Sequence, residues 1–144
     1  MSSRSAGRWL AVQALYQLDV VPTEPAQALA FVVELHAAPP EVAEFAKGLV
    51  DDTWTRRDEL DRLIAEHLPE AWPLSRIGKI EKAIMRMAAS ELIRSAEVPT
   101  PVVLDEALEL VRDYAEDKAV GFVNAVLDKV ARRVRPGGVP LAAP

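Results

Sequence analysis

The sequence has no cysteine and few glycines, histidines and aromatic residues, and these shortages exclude several kinds of chemistry. Without cysteine, neither disulfide bonds nor thiolate catalysis is available. The two histidines, His36 and His67, lack the spacing of a zinc site, and no glycine-rich loop is present to hold a phosphate. We therefore expect no catalytic residue, no metal site, no cofactor and no enzymatic activity.

Long apolar runs are also missing, so the sequence predicts neither a signal peptide nor a membrane-spanning helix, and we expect a cytoplasmic protein. Half of the 144 residues are hydrophobic, which is enough to build a core without metals or disulfides. We predict a single domain over residues 1–135 and a flexible tail over 136–144, which begins with Pro136-Gly137-Gly138.

What the chain does contain is helical periodicity, whereas no segment alternates polar and apolar residues as a strand does. Seven stretches have apolar residues at helical spacing, and prolines separate most of them. The predicted helices cover about residues 5–20, 26–37, 40–54, 56–68, 76–95, 101–115 and 118–134. This pattern predicts an all-α fold, a compact bundle of about seven helices that the Pro69–Pro73 segment divides into two halves.

The charge is unevenly distributed along the chain. The net charge of -5 argues against nucleic acid, but all 22 acidic residues lie between Asp19 and Asp128, so both ends of the chain are basic. The last helix buries an apolar stripe and then ends in a cluster of four cations, Lys129, Arg132, Arg133 and Arg135. Such a cluster favours an anionic partner such as nucleic acid, or it complements the helix dipole.

The first helix combines aromatic and polar residues on one side. A helical wheel places Leu10, Ala14 and Leu18 on the buried side, and the other side holds Trp9, Val12, Gln13 and Tyr16, with Ser5 and Arg8 at its edge. Aromatic rings beside an arginine and an amide are what single-stranded RNA recognition uses. Two alternatives stay open: another helix covers these aromatics, or they form a self-association surface.

Charged residues of the fifth predicted helix have two interpretations. Lys79, Lys82 and Arg86 recur at helical spacing, so they form a second phosphate-binding stripe or simply a solvated face. Glu81 and Glu91 lie off that stripe, where they serve a protein partner or are ordinary surface charges.

Four segments, taken in order, carry a resemblance to a known family. They are Ala11–Tyr16, Ile80–Leu92, Val98–Leu110 and Phe122–Lys129. With them, the chain resembles the bacterial transcription antitermination factor NusB family from about Arg8 to Arg135. The resemblance implies two roughly perpendicular helical subdomains and a protein that binds boxA-type RNA together with NusE, a small-subunit ribosomal protein. That complex acts on RNA polymerase in the transcription of ribosomal RNA operons.

The resemblance also assigns roles to individual residues. It implies RNA contacts by Arg8, Gln13, Tyr16 and Phe122. To these candidate RNA contacts the basic start of the chain adds Arg4, and the helical wheel adds Trp9. It implies a NusE-facing side at Glu81, Glu116 and Asp117. Where the family usually opens with a cluster of arginines, this chain has Ser5, Ala6 and Gly7.

Two other functions remain alternatives. One is a protein-interaction or homodimeric module with weakened RNA binding, joined through Trp9 and Tyr16. The other is a helper domain in ribosomal RNA maturation.

Overall fold

Prolines and capping residues set where the helices begin. The computed structural model describes residues 2–138, and within them it contains seven α-helices and no strand. The helices are α1 (Ser3–Val20), α2 (Pro25–Leu35), α3 (Pro40–Thr55), α4 (Arg57–Ala65), α5 (Lys79–Arg94), α6 (Thr100–Tyr114) and α7 (Ala119–Val134). The predicted all-α fold of seven helices is confirmed. None of the helices in this described range is long and apolar enough to cross a membrane.

The helix starts follow local chemistry. The Ser2 side chain accepts a hydrogen bond from the Ser5 backbone N–H and caps α1. Glu24 and Gln27 form a reciprocal capping box at the start of α2, where Pro25 occupies the first turn. Pro40 is the first residue of α3, where its missing N–H costs nothing because the first turn of a helix has no intrahelical acceptor for it.

The chain forms two compact units, and their boundary differs from the prediction. The first unit ends at Thr55 and the second begins at Arg56, so the predicted division at Pro69–Pro73 is wrong. The reason is the packing of α4, which buries Leu60 and Ile64 and contacts α5 and α7 of the second unit. Of the predicted tail, Pro136–Gly138 form a short 3₁₀ turn against α7, and residues 139–144 lie outside the described residues.

In the first unit, α1 packs against both α2 and α3, which also contact each other. The core contains the predicted Leu10, Ala14 and Leu18. Gly7 allows α1 to lie close to α3: a Cβ atom at this position would be 2.5 Å from Cδ2 of Phe45. A longer side chain at position 7 would have to displace that ring.

In the second unit, α5 is the central helix and contacts α4, α6 and α7. Every residue from Ala83 to Leu92 is buried, so the middle of this helix is enclosed on all sides. Its buried polar residues therefore need partners inside the protein. Arg86 has one in Asp61 of α4, whose carboxylate accepts hydrogen bonds of 2.6 and 2.7 Å from the guanidinium.

The end of α5 is satisfied by Arg135, the residue that directly follows α7. Its side chain is 1% exposed and donates to the carbonyl oxygens of four residues and to one hydroxyl: Glu91, Leu92, Ser95, Val98 and Thr100 Oγ1, at 2.7–3.4 Å. Burial lowers the pKa of the guanidinium, whereas the Glu91 and Glu97 carboxylates raise it. A cation at the carboxyl end of a helix also complements the helix dipole.

Replacing Arg135 with methionine should destabilise the second unit, because several buried carbonyl groups lose their donor at once. We expect Arg135→Met to lower the free energy of unfolding by about 3 kcal/mol in urea denaturation followed by circular dichroism. The matched control is Arg133→Met, since Arg133 is exposed two residues earlier, and it should change that free energy by less than about 0.5 kcal/mol. Equal effects of the two substitutions would contradict this account of α5.

Candidate nucleic-acid interface and partner-binding groove

The basic start of α1 lies against Phe45 of α3. The guanidinium carbons of Arg4 and Arg8 are 5.3 and 5.4 Å from the centroid of the Phe45 ring, within the range of a cation–π contact. Arg4 is exposed to solvent, whereas Arg8 is only 2% exposed. Of the two, Arg4 is therefore the one whose guanidinium is accessible to a phosphate.

The helical wheel was wrong about two residues of α1. It placed Val12 on the open side and Arg8 at its edge, but both are buried, and Val12 is fully inaccessible. The wheel assumed one covered side, whereas α2 and α3 both pack on α1. Two covered sides leave a narrower open strip than one wheel predicts.

Trp9 and Gln13 lie beside His36 at the end of α2. The Trp9 and His36 rings meet edge to face, with centroids 4.7 Å apart and an interplanar angle of 72°. The Gln13 Oε1 atom is 3.0 Å from Nε2 of His36. Trp9 and Gln13 are both half-buried, so the alternative that a neighbouring helix covers Trp9 holds in part.

Tyr16 remains open. Its side chain is 39% exposed, and Val20, one turn later, is 49% exposed. On α2, Phe31 and Leu35 are also exposed, at 57% and 62%. The first unit therefore presents large apolar side chains on two of its helices, and the predicted stacking residue Tyr16 is one of them.

The second unit contains an open groove of about 680 Å³, which we call the α5–α7 groove. Its apolar lining comes from the segment before α5 and from the start of α7, with charged residues among them: Trp72, Arg76, Ile77, Gly78, Glu81, Ala115, Glu116, Lys118, Ala119 and Phe122. Three residues that the resemblance singled out, Glu81, Glu116 and Phe122, thus line one groove. Asp117 is exposed next to Glu116 but does not line it.

The two acids that line the groove are held differently, one by an ion pair and the other over the start of α5. The Glu116 carboxylate pairs with Lys118 at 3.1 Å. The Glu81 carboxyl group lies over the start of α5, close to Gly78. A Cβ atom on Gly78 would be only 2.6–2.9 Å from it. A carboxylate there is stabilised by the positive end of the helix dipole, and glycine at position 78 leaves it room.

Trp72 is a lining residue that the sequence analysis missed. Its side chain is 53% exposed in the proline-flanked segment between α4 and α5. Because the sequence predicts only a division of the bundle at this segment, none of its residues was a candidate for the site. The available signal was the residue type itself, since a large aromatic ring is unusual on an exposed proline-rich connection.

Several charged residues predicted at the surface are buried. Arg86 belongs to the ion pair with Asp61, so the proposed stripe with Lys79 and Lys82 is wrong. Glu91 is 2% exposed, which removes it from any protein-binding surface. Arg135 is buried, so the exposed part of the basic cluster at the end of α7 consists of Lys129, Arg132 and Arg133. Arg132 forms an ion pair with Asp128 at 3.0 Å.

Comparison with known proteins gives one consistent family. The model of the NusB family matches residues 5–132. A transcription antitermination protein NusB from Symbiobacterium thermophilum is 40% identical over 141 residues, which cover 92% of each chain. Its counterpart from Halalkalibacterium halodurans is 39% identical and is covered to 97%, against 93% of this chain.

Comparison with solved structures identifies the same family as the sequence comparison. A structure of the antitermination factors NusB and NusE in complex with double-stranded RNA matches with a TM-score of 0.85 and 30% identity, over 92% of this chain and 98% of that one. The solution structure of NusB from Aquifex aeolicus matches with a TM-score of 0.81 and 32% identity, over 92% and 89% of the two chains.

Proposed function

The chain belongs to the NusB family, and we propose that it is a transcription antitermination factor that binds boxA-type RNA together with NusE. The observation that carries this proposal is the match over nearly the whole chain to NusB proteins, one of them solved with NusE and RNA. In this role the protein joins the RNA polymerase antitermination complex on ribosomal RNA operons. Transcription in bacteria takes place in the cytoplasm, where we therefore place it.

We place RNA contacts on each unit. In the first unit, Arg4 offers an exposed guanidinium to a phosphate and Tyr16 an exposed ring to a base. The half-buried Trp9 and Gln13, beside His36, offer part of a ring and part of an amide to the RNA. The buried Arg8 contributes positive charge beneath the surface. In the second unit, the one RNA contact that we propose is Phe122, which lines the open groove.

We assign the α5–α7 groove also to NusE, through Glu81, Glu116 and the adjacent Asp117. Cations and anions both occur at the groove, so it has no strong attraction for a polyanion alone. Apolar lining within a mixed polar rim is what protein partners bind. This role is one of binding, and we propose no catalytic step.

A homodimer through the first unit is the second candidate, because Phe31 and Leu35 are exposed on one side of α2 and Tyr16 on α1. Such a protein would sediment as a dimer at micromolar concentration, and Leu35→Glu would convert it to a monomer. A wild-type protein that sediments as a monomer contradicts this candidate.

Removing either proposed stacking ring should weaken RNA binding. We expect Tyr16→Ala and Phe122→Ala each to raise the Kd for a short boxA-type RNA about tenfold, since stacking on an aromatic side chain contributes about 1–3 kcal/mol per base. The measurement is fluorescence anisotropy at low salt with saturating NusE. Phe31→Ala is the matched control, because it removes an exposed ring to which we assign no RNA contact.

The same titration tests the function itself. If the wild-type protein shows no affinity for boxA-type RNA at low salt in the presence of NusE, the RNA-binding proposal is wrong. An equal loss from Phe31→Ala would mean that the assigned aromatics have no special role.

Reversing the charge of Glu81 should weaken NusE binding. We expect Glu81→Lys to raise the Kd for NusE at least about fivefold, because a carboxylate at the groove is replaced by a cation. Isothermal titration calorimetry measures this affinity, and circular dichroism checks that the helices are retained. The control is Asp105→Lys, an exposed charge reversal on α6 away from the groove lining. Unchanged NusE affinity in Glu81→Lys removes this residue from the interface.

A further inference from the structure

Phe45 is in contact with three residues of α1 that share one side of that helix. Arg4, Gly7 and Arg8 stand at positions i, i+3 and i+4, which fall on the same face. Both guanidinium carbons lie within 5.4 Å of the ring centroid, as described above. The ring, half-buried on α3, thus meets the two cations that open the chain.

Gly7 makes this contact possible. A Cβ atom at position 7 would lie 2.5 Å from Cδ2 of Phe45 and 3.3 Å from its Cβ and Cγ. The ring therefore occupies the space that a side chain at position 7 would fill, between the residues one turn apart.

The ring changes what the two arginines can do. Like charges one turn apart on a helix repel each other, and the negative face of an aromatic ring offsets that repulsion. A guanidinium that lies against a ring also loses side-chain freedom before any ligand arrives. Its N–H groups stay available for a phosphate, because ring contact and hydrogen bonding can use different parts of the planar group. Less entropy is then lost when RNA binds.

We propose that Phe45 is a positioning residue for RNA binding, which holds the exposed Arg4 in place for a phosphate and keeps the charge of Arg8 beneath it. The proposal rests on the proposed RNA-binding function and adds a residue on α3 that itself need not touch RNA. It makes the contribution of Arg4 depend on the identity of residue 45.

A double-mutant cycle tests this dependence. The four proteins are the wild type, Arg4→Ala, Phe45→Leu and the double variant, titrated with a short boxA-type RNA at low salt. We expect Arg4→Ala to raise the Kd about fivefold in the wild-type background and less than about twofold when residue 45 is leucine. An equal fold-change in both backgrounds would overturn the proposal.

Two controls separate positioning from a general loss of structure. Phe45→Tyr keeps the aromatic face and should retain the wild-type Kd and the wild-type effect of Arg4→Ala. Arg132→Ala removes an exposed cation of the second unit and should have the same effect whether residue 45 is phenylalanine or leucine. If the effect of Arg132→Ala also shrinks with leucine, the change at residue 45 acts through the whole protein and the proposal fails.

A measurement without RNA distinguishes failure of this inference from failure of the proposed function. In the nuclear magnetic resonance spectrum of the free protein, the δ-methylene protons of Arg4 and Arg8 should show upfield ring-current shifts that Phe45→Leu abolishes. Their absence in the wild type would overturn the positioning role even if RNA binds. Normal ring-current shifts together with no RNA binding would instead overturn the proposed function, and with it the positioning role.

Discussion

The burial of helix α5 is the constraint on which the second unit depends. A helix enclosed by three others cannot leave its polar groups to water, so each must be paired within the protein. Asp61 pairs with Arg86 in the middle of the helix, and Arg135 donates to the carbonyl oxygens at and beyond its end. Because Arg135 directly follows α7, these hydrogen bonds connect the end of α7 to the end of α5. The start of α5, in contrast, is not fully buried, and its Glu81 lines the groove.

The helices were predictable because the signals that define them are local. Apolar residues at helical spacing and prolines at helix starts lie within a few residues of the structure they specify. The assignment of α4 to a unit was not local: Leu60 and Ile64 identify an apolar face but not the helices that it contacts. Proline-rich sequence at 69–73 suggested a boundary, yet the packing of α4 against α5 and α7 places the division before it.

The candidate site was less predictable, since the same residue type serves opposite purposes. The buried Arg135 and the exposed Arg133 stand two residues apart in one basic cluster, and nothing in the local pattern distinguishes a carbonyl-binding guanidinium from a solvated one. A wheel for α1 identified Tyr16 as open but misplaced Val12, because a wheel cannot say how many helices pack around it. Family resemblance selected Glu81, Glu116 and Phe122, which line one groove, and missed Trp72 there.

The sparse cations of this chain bear on how RNA and protein binding divide the work. Nucleic-acid-binding proteins owe much of their sequence-independent affinity to the counterions released when cationic side chains contact phosphates. This affinity grows with the number of cations that make such contacts. Arg86 and Arg135 are buried and so cannot contact phosphates. The net charge of -5 also opposes the approach of a polyanion. Affinity must then come more from stacking and from pre-positioned guanidinium groups. A second protein bound to the same RNA also helps, because linked contacts turn a separate binding event into an intramolecular one. For the proposed function, the physical chemistry of this sequence therefore favours RNA binding together with a second protein over RNA binding alone.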